Sequence, residues 1–233
     1  MKQIMIVLLF VVLFTSFAQA NPQDRSEAAD RVVSSAVVIK EIMGTPDRSI
    51  PQDLLDKCQC VAVIPGMKKG AFIFGGNYGK GVVSCRTDGG QGPWSAPSMI
   101  MMSGGSFGLQ IGVQSTDLVL VIMNLSGIES LLDSKFTLGG DASVAAGPVG
   151  RNAAAKTDAL LTAKILAYSR SRGVFAGLSL NGEVVRSDLD ANFVVYKKQL
   201  APREILFHQM KDAPSDVKIL TDQLSKFSPK QIK

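Results

Sequence analysis

Short apolar or β-branched runs, each closed by glycine, limit this chain to a sheet-rich fold. Val61-Ala62-Val63-Ile64, Ala71-Phe72-Ile73-Phe74 and Val82-Val83-Ser84-Cys85 are separated by Pro65-Gly66, Gly75-Gly76-Asn77 and Lys80-Gly81. Runs this short between turn residues suit strands and leave no room for a helix. After a Gly/Pro loop at 88–97 that holds the only tryptophan, Trp94, further strands are expected at 98–102, 107–114 and 118–124. The stretch 135–152 is rich in Gly, Ala and Ser, with β-type residues only at Phe136, Thr137, Val144 and Val149. Small residues there let backbones approach or bend a sheet. Segments 160–169 and 174–180 read as a hairpin turned at Arg170-Ser171-Arg172-Gly173.

Helical spacing frames this sheet. Ala29, Val32, Val33, Ala36, Val37 and Met43 recur at helical intervals over 26–43, and Gly44 with Thr45-Pro46 supplies a stop. A short helix starts near Pro51, carries Leu54 and Leu55, and has Ser49 as its expected cap. Segments 126–132, 188–196 and 215–227 also read as helical, the last with Leu220, Leu224 and Phe227 on one side. The fold class is α+β, a glycine-rich antiparallel sheet or barrel-like core with flanking amphipathic helices. One domain is expected over 21–208, followed by a C-terminal helix and tail at 209–233.

Residues 1–20 run Met-Lys-Gln, then apolar from Ile4 to Phe14, then Ala18-Gln19-Ala20, the order of a secretory leader. Cleavage is expected after Ala20, giving a periplasmic or secreted protein. Export permits a disulfide. Cys58 and Cys60 are too close to pair easily, so one of them would join Cys85, with Cys60 the first candidate, and the third thiol would stay free. The alternative is that all three are small buried residues beside strands.

Composition excludes several chemistries. A single histidine, His208, removes multi-histidine metal sites, and the three cysteines lack C-x-x-C spacing. No metal and no cofactor are expected. Gly104-Gly105-Ser106-Phe107-Gly108 satisfies G-x-S-x-G, with Asp141 or Asp158 and then His208 downstream. A nucleophile elbow needs a helix after the serine, whereas Leu109, Ile111 and Val113 alternate like a strand. A serine hydrolase using Ser106 is therefore a remote alternative. Gly75 to Gly81 resembles a phosphate loop only in composition, because its spacing does not fit a Walker sequence.

The net charge of +5 permits an anionic partner without requiring nucleic acid, and none is expected. Lys57, Lys68, Lys69, Lys80 and Arg86 occur with no acid between Lys57 and Thr87, and Lys164, Arg170 and Arg172 lie in a second acid-free run. With Lys68-Lys69 and Arg170 to Arg172 at strand-connecting tips, they would form a basic rim for lipid headgroups. The plain alternative is solvated loop charge.

Cys60 to Gly66, Phe74 to Gly81, Trp94-Ser95-Ala96-Pro97, Gly104 to Gly112, Thr116 to Leu120, Lys135 to Gly139, Asp141 to Pro148 and Tyr168 to Gly173 together resemble the SYLF family. The likeness runs in colinear order over 28–208. It implies a non-enzymatic domain that binds phosphoinositides or other anionic lipids, also described as an actin-binding module in yeast. In eukaryotic members lipid contact is attributed to a basic N-terminal helix. The corresponding stretch here, from Asp24 to Met43, has three bases against four acids, so charge would not hold it to an anionic surface. Lipid contact is therefore assigned to Lys68, Lys69, Lys80, Arg170 and Arg172. Export makes cytosolic actin an unlikely partner, and an envelope structural or protein-interaction domain is the alternative function.

Overall fold

Among the described residues eight strands form one sheet, curled into a half-barrel and flanked by helices, which gives the expected α+β class. The structure, a computed structural model, describes residues 22–71, 74–107, 112–128, 132, 135–149, 163–172, 180–208, 210 and 213–229. The strands are β1 (Cys60–Ala71), β2 (Phe74–Cys85), β3 (Ser98–Phe107), β4 (Gly112–Ile122), β5 (Lys135–Thr137), β6 (Val144–Ala146), β7 (Ile165–Arg172) and β8 (Val184–Ser187). They lie in the order β5-β8-β3-β2-β1-β4-β7-β6. The β6–β7 pair is parallel and the other neighbours are antiparallel. The helices are α1 (Pro22–Met43), α2 (Gln52–Lys57), α3 (Leu189–Tyr196), α4 (Pro202–Phe207) and α5 (Lys218–Phe227).

Several glycines expected to end strands lie inside them. Pro65-Gly66 does not end β1 but bulges it, shifting its register against β4 between Ile64 and Met67. Gly66 takes φ +56, and its amide donates to Asp117 Oδ1 at 2.9 Å. The bulge leaves both Ile64 and Met67 buried in the same core and inverts the alternation beyond it. Opposite the bulge, a Cβ on Gly81 would run into the carbonyl oxygen of Val63. Glycine is needed there because β2 passes so close to the bulged strand.

Each face of the sheet carries its own core. On one face Val61, Val63, Val82, Met99, Val119 and Val121 pack under α1, α3 and α5. On the other, Ala62, Ile64, Met67, Val83, Met102 and Leu120 pack with Phe136, Leu138 and Leu180. The packed stripe of α1 is Ala28, Val32, Ala36, Ile39 and Ile42. Burying each large aliphatic chain contributes about 1.5–3 kcal/mol. Val33 and Val37, expected in that stripe, instead point outward and are 42% and 45% exposed.

Other expectations need correction. Pro51, not Ser49, precedes α2, and the Ser49 hydroxyl donates to the Pro46 carbonyl. Arg170-Ser171-Arg172 is not a turn but the end of β7, paired with β4. Of the proposed return strand 174–180 only Leu180 is among the described residues; of the helix expected at 126–132, residues 129–131 lie outside them, and a 3-10 turn spans Leu125–Gly127. The helices at 188–196 and 215–227 are present as α3 and as a 3-10 turn running into α5. Asp188 caps α3 by accepting the Ala191 amide.

The C-terminal helix is locked to the Trp94 loop by a buried arginine. Arg86 lies 4.2 Å over the Trp94 ring and donates to the Gly92, Ser228 and Pro229 carbonyls. Trp94 Nε1 donates to the Ser228 carbonyl at 3.0 Å. A cation at the C-terminal end of α5 also meets the negative end of its dipole. Nearby, Cys60 and Cys85 face each other across β1 and β2 and are bonded. Cys58 is a free buried thiol that donates to the Leu55 carbonyl, and burial pushes its pKa up to about 12.

Candidate functional site

Ion pairs pin α1 across its sheet face. Near its start, Glu27 accepts from Lys80 of β2 at 2.6 Å. That hydrogen bond raises the pKa of the lysine and lowers that of the carboxyl. Near its end, Glu41 pairs with Arg170 of β7, which also donates to Asp117 at 2.7 Å. Arg31 meets Asp188 at 2.9 Å, with both side chains nearly buried. Two cations assigned to lipid contact, Lys80 and Arg170, are thus already paired with acids from other elements. The acid-free runs of sequence are not acid-free in space.

Beyond α1 the same face is left uncovered by the described residues, and strand register sets what it displays. One transverse row runs from Lys135 of β5 through Arg186 of β8 and Met101 of β3 to Lys80. The next includes Ser103, Tyr78, Lys68 and Ser115. Lys68, Lys135 and Arg186 are exposed and take part in none of the ion pairs among the described residues, and Tyr78 is 47% exposed. Arg172 is opposite Ser115, a register position on this face, but its side chain lies outside the described residues. Free cations beside an exposed phenol can attract phosphate groups by charge and let a ring rest at a headgroup boundary.

Lys69 does not belong to this surface. Because residues alternate, it lies on the opposite face from Lys68, across from Asn77. Its field reaches Glu183, a 2% exposed carboxyl that accepts from Asn77 Nδ2. Burial raises the Glu183 pKa, and Asn77 and Lys69 only partly oppose that shift. A carboxyl with a native pKa above its unfolded value holds a proton that unfolding releases, so stability falls as pH rises through the two values. Glu183→Gln is therefore expected to melt above the parent at about pH 8 and to lose that advantage at about pH 4. Paired thermal melts check this, and a difference independent of pH would contradict it.

Sequence reasoning missed Lys135 and Arg186 because they lie in strands of three and four residues, too short to show alternation. Their register partners carried the only signal. Ser106 lies inside β3, where it pairs with Gly75 of β2 rather than standing at a strand-to-helix turn, and His208 is exposed. Gly75 to Gly81 is likewise strand rather than a phosphate loop. Among the described residues there is no group of three or more His, Cys, Asp or Glu placed to hold a metal, and no helix long and apolar enough to cross a membrane. A cleft of about 270 Å³ between the Trp94 loop and α5 is rimmed by Lys218, Thr221 and Asp222.

A family model described as "Ysc84: Las17-binding protein actin regulator" matches residues 103–227. LAS seventeen-binding protein 3 of Saccharomyces cerevisiae is 35% identical over 203 residues, covering 84% of this chain and 43% of the yeast protein. Protein YSC84 of the same yeast is 35% identical over 203 residues, covering 84% of this chain and 42% of its own length. SH3 domain-containing YSC84-like protein 1 of Xenopus laevis is 32% identical over 213 residues, covering 91% of this chain and 62% of the frog protein. The chain therefore spans less than half the length of these yeast relatives. The family model is described in terms of binding and regulation, and LAS seventeen-binding protein 3 is named for binding.

Proposed function

This chain belongs to the Ysc84 (SYLF) family, and from that premise we propose that it is a non-enzymatic binding domain in which the exposed basic residues beyond α1 on one sheet face engage anionic phospholipid headgroups. The observation that carries this reading is the set of exposed cations Lys68, Lys135 and Arg186 on the same sheet face as Tyr78, none of them in an ion pair among the described residues. Lys80 and Arg170 serve to hold α1.

The test is cosedimentation of the purified protein with neutral and anionic vesicles at low and high salt. Surface charges attract an anionic bilayer within a Debye length of about 10 Å at 0.1 M salt. Binding is expected to require the anionic lipid and to weaken with salt. Equal binding to both vesicles would contradict the headgroup reading.

A protein partner is the second reading, favoured by relatives named as LAS seventeen-binding proteins. It gives binding without lipid. In either case the leader-like residues 1–20 make this an exported, envelope-side protein, whose mature chain is expected to begin at Asn21. Intact mass after expression in a bacterium checks it, and retention of Met1 to Ala20 would contradict export.

A further inference from the structure

The outer face of α1 carries a pattern that reads the same in both directions. Val33 and Val37 project outward at 42% and 45% exposure, one turn apart. Asp30 lies three residues before the first and Lys40 three residues after the second, and both are exposed. At 100° per residue these four side chains share one stripe of the helix. The charges Arg25, Glu27, Arg31 and Glu41 along the same helix are all ion-paired within the domain, whereas Asp30 and Lys40 enter none of the described ion pairs. Beside the valines, a groove of about 380 Å³ separates α1 from Pro65, Gly66 and Ser115.

We propose that this face of α1 is a self-recognition surface on which a second copy of the chain docks through an antiparallel, two-fold pairing of helices. With the axis midway between Val33 and Val37, Val33 meets the partner's Val37 and Asp30 meets the partner's Lys40. Each contact then occurs twice, as a two-fold interface requires. An anionic bilayer is not the occupant, because the stripe carries one charge of each sign and only two large apolar residues. The contact spans about 15 Å of helix. That is smaller than a standard stable interface, so the dimer is transient and forms only at high protein concentration.

Sedimentation equilibrium of the purified protein over a wide concentration range tests this independently of lipid. The parent is expected to approach twice the monomer mass at the highest concentrations. Asp30→Lys alone and Lys40→Asp alone are each expected to remain monomeric, since each places like charges together. An equimolar mixture of the two is expected to dimerise again, because every lysine then meets an aspartate, and the double variant D30K/K40D should do the same. Both positions are exposed, and unchanged thermal melts confirm that the variants fold. A parent that stays monomeric throughout, or a mixture that fails to recover, overturns the proposal. A monomeric parent whose D30K variant binds anionic vesicles more tightly would make this face a membrane contact instead.

Discussion

Replacing Asp188 with alanine is expected to lower the unfolding free energy by about 3–5 kcal/mol. The Asp188 side chain is 8% exposed and accepts from Arg31, itself 6% exposed, at 2.9 Å. Its other oxygen caps α3 through the Ala191 amide at 3.2 Å. Alanine thus removes a helix cap and leaves a guanidinium buried beside Glu27, whose 3.8 Å approach from a half-exposed position replaces little of the lost partner. Truncating one member of a buried pair is costly chiefly because the remaining charge stays desolvated. Asp188→Asn keeps the capping oxygen and is expected to fall between the parent and Asp188→Ala. Replacing both partners, Arg31→Met with Asp188→Ala, should cost less than Asp188→Ala alone, since no charge is then stranded. Denaturant titration reads these differences. A loss below about 1 kcal/mol for Asp188→Ala would mean that the pair does not hold α1 and α3 together.

Much of the fold was legible because local period and packing agree. The stop at Gly44, the helical segment 188–196 and the spacing of Leu220 and Leu224 each mark a helix end, body or face that the structure contains. Strand ends were less legible, because glycine has two uses. Gly66 bends the chain at a bulge, while Gly81 sits mid-strand only because β2 passes close to Val63. Both look like turn residues in sequence.

The surface was harder to read. Lys68 and Lys69 are adjacent, yet one is on the uncovered face and the other lies near Glu183 beneath it. Only the register after the bulge decides which is which. Acids that neutralise Lys80 and Arg170 come from α1 and β4, far away in sequence. The outward set of Val33 and Val37 was also hidden, because a helix with apolar residues on more than one side does not reveal which stripe meets the sheet.

On the proposed lipid-binding reading, register rather than adjacency in sequence defines the surface that meets the headgroups. Each basic residue near an anionic bilayer contributes on the order of fivefold in partition, so losing two lowers binding about thirtyfold, and reversing their charge lowers it further. Lys68 and Arg186 lie on the uncovered face in neighbouring rows, and both are exposed, so charge reversal there should leave the cores intact. Lys69 is the control, one residue from Lys68 and pointing to the other side. The decisive measurement is the partition coefficient on anionic vesicles at low salt for the parent, the double variant K68E/R186E and K69E. The expected result is a loss of at least thirtyfold for K68E/R186E with K69E within about threefold of the parent. Equal losses for K69E and K68E/R186E, or no loss for the double variant, would contradict the assignment.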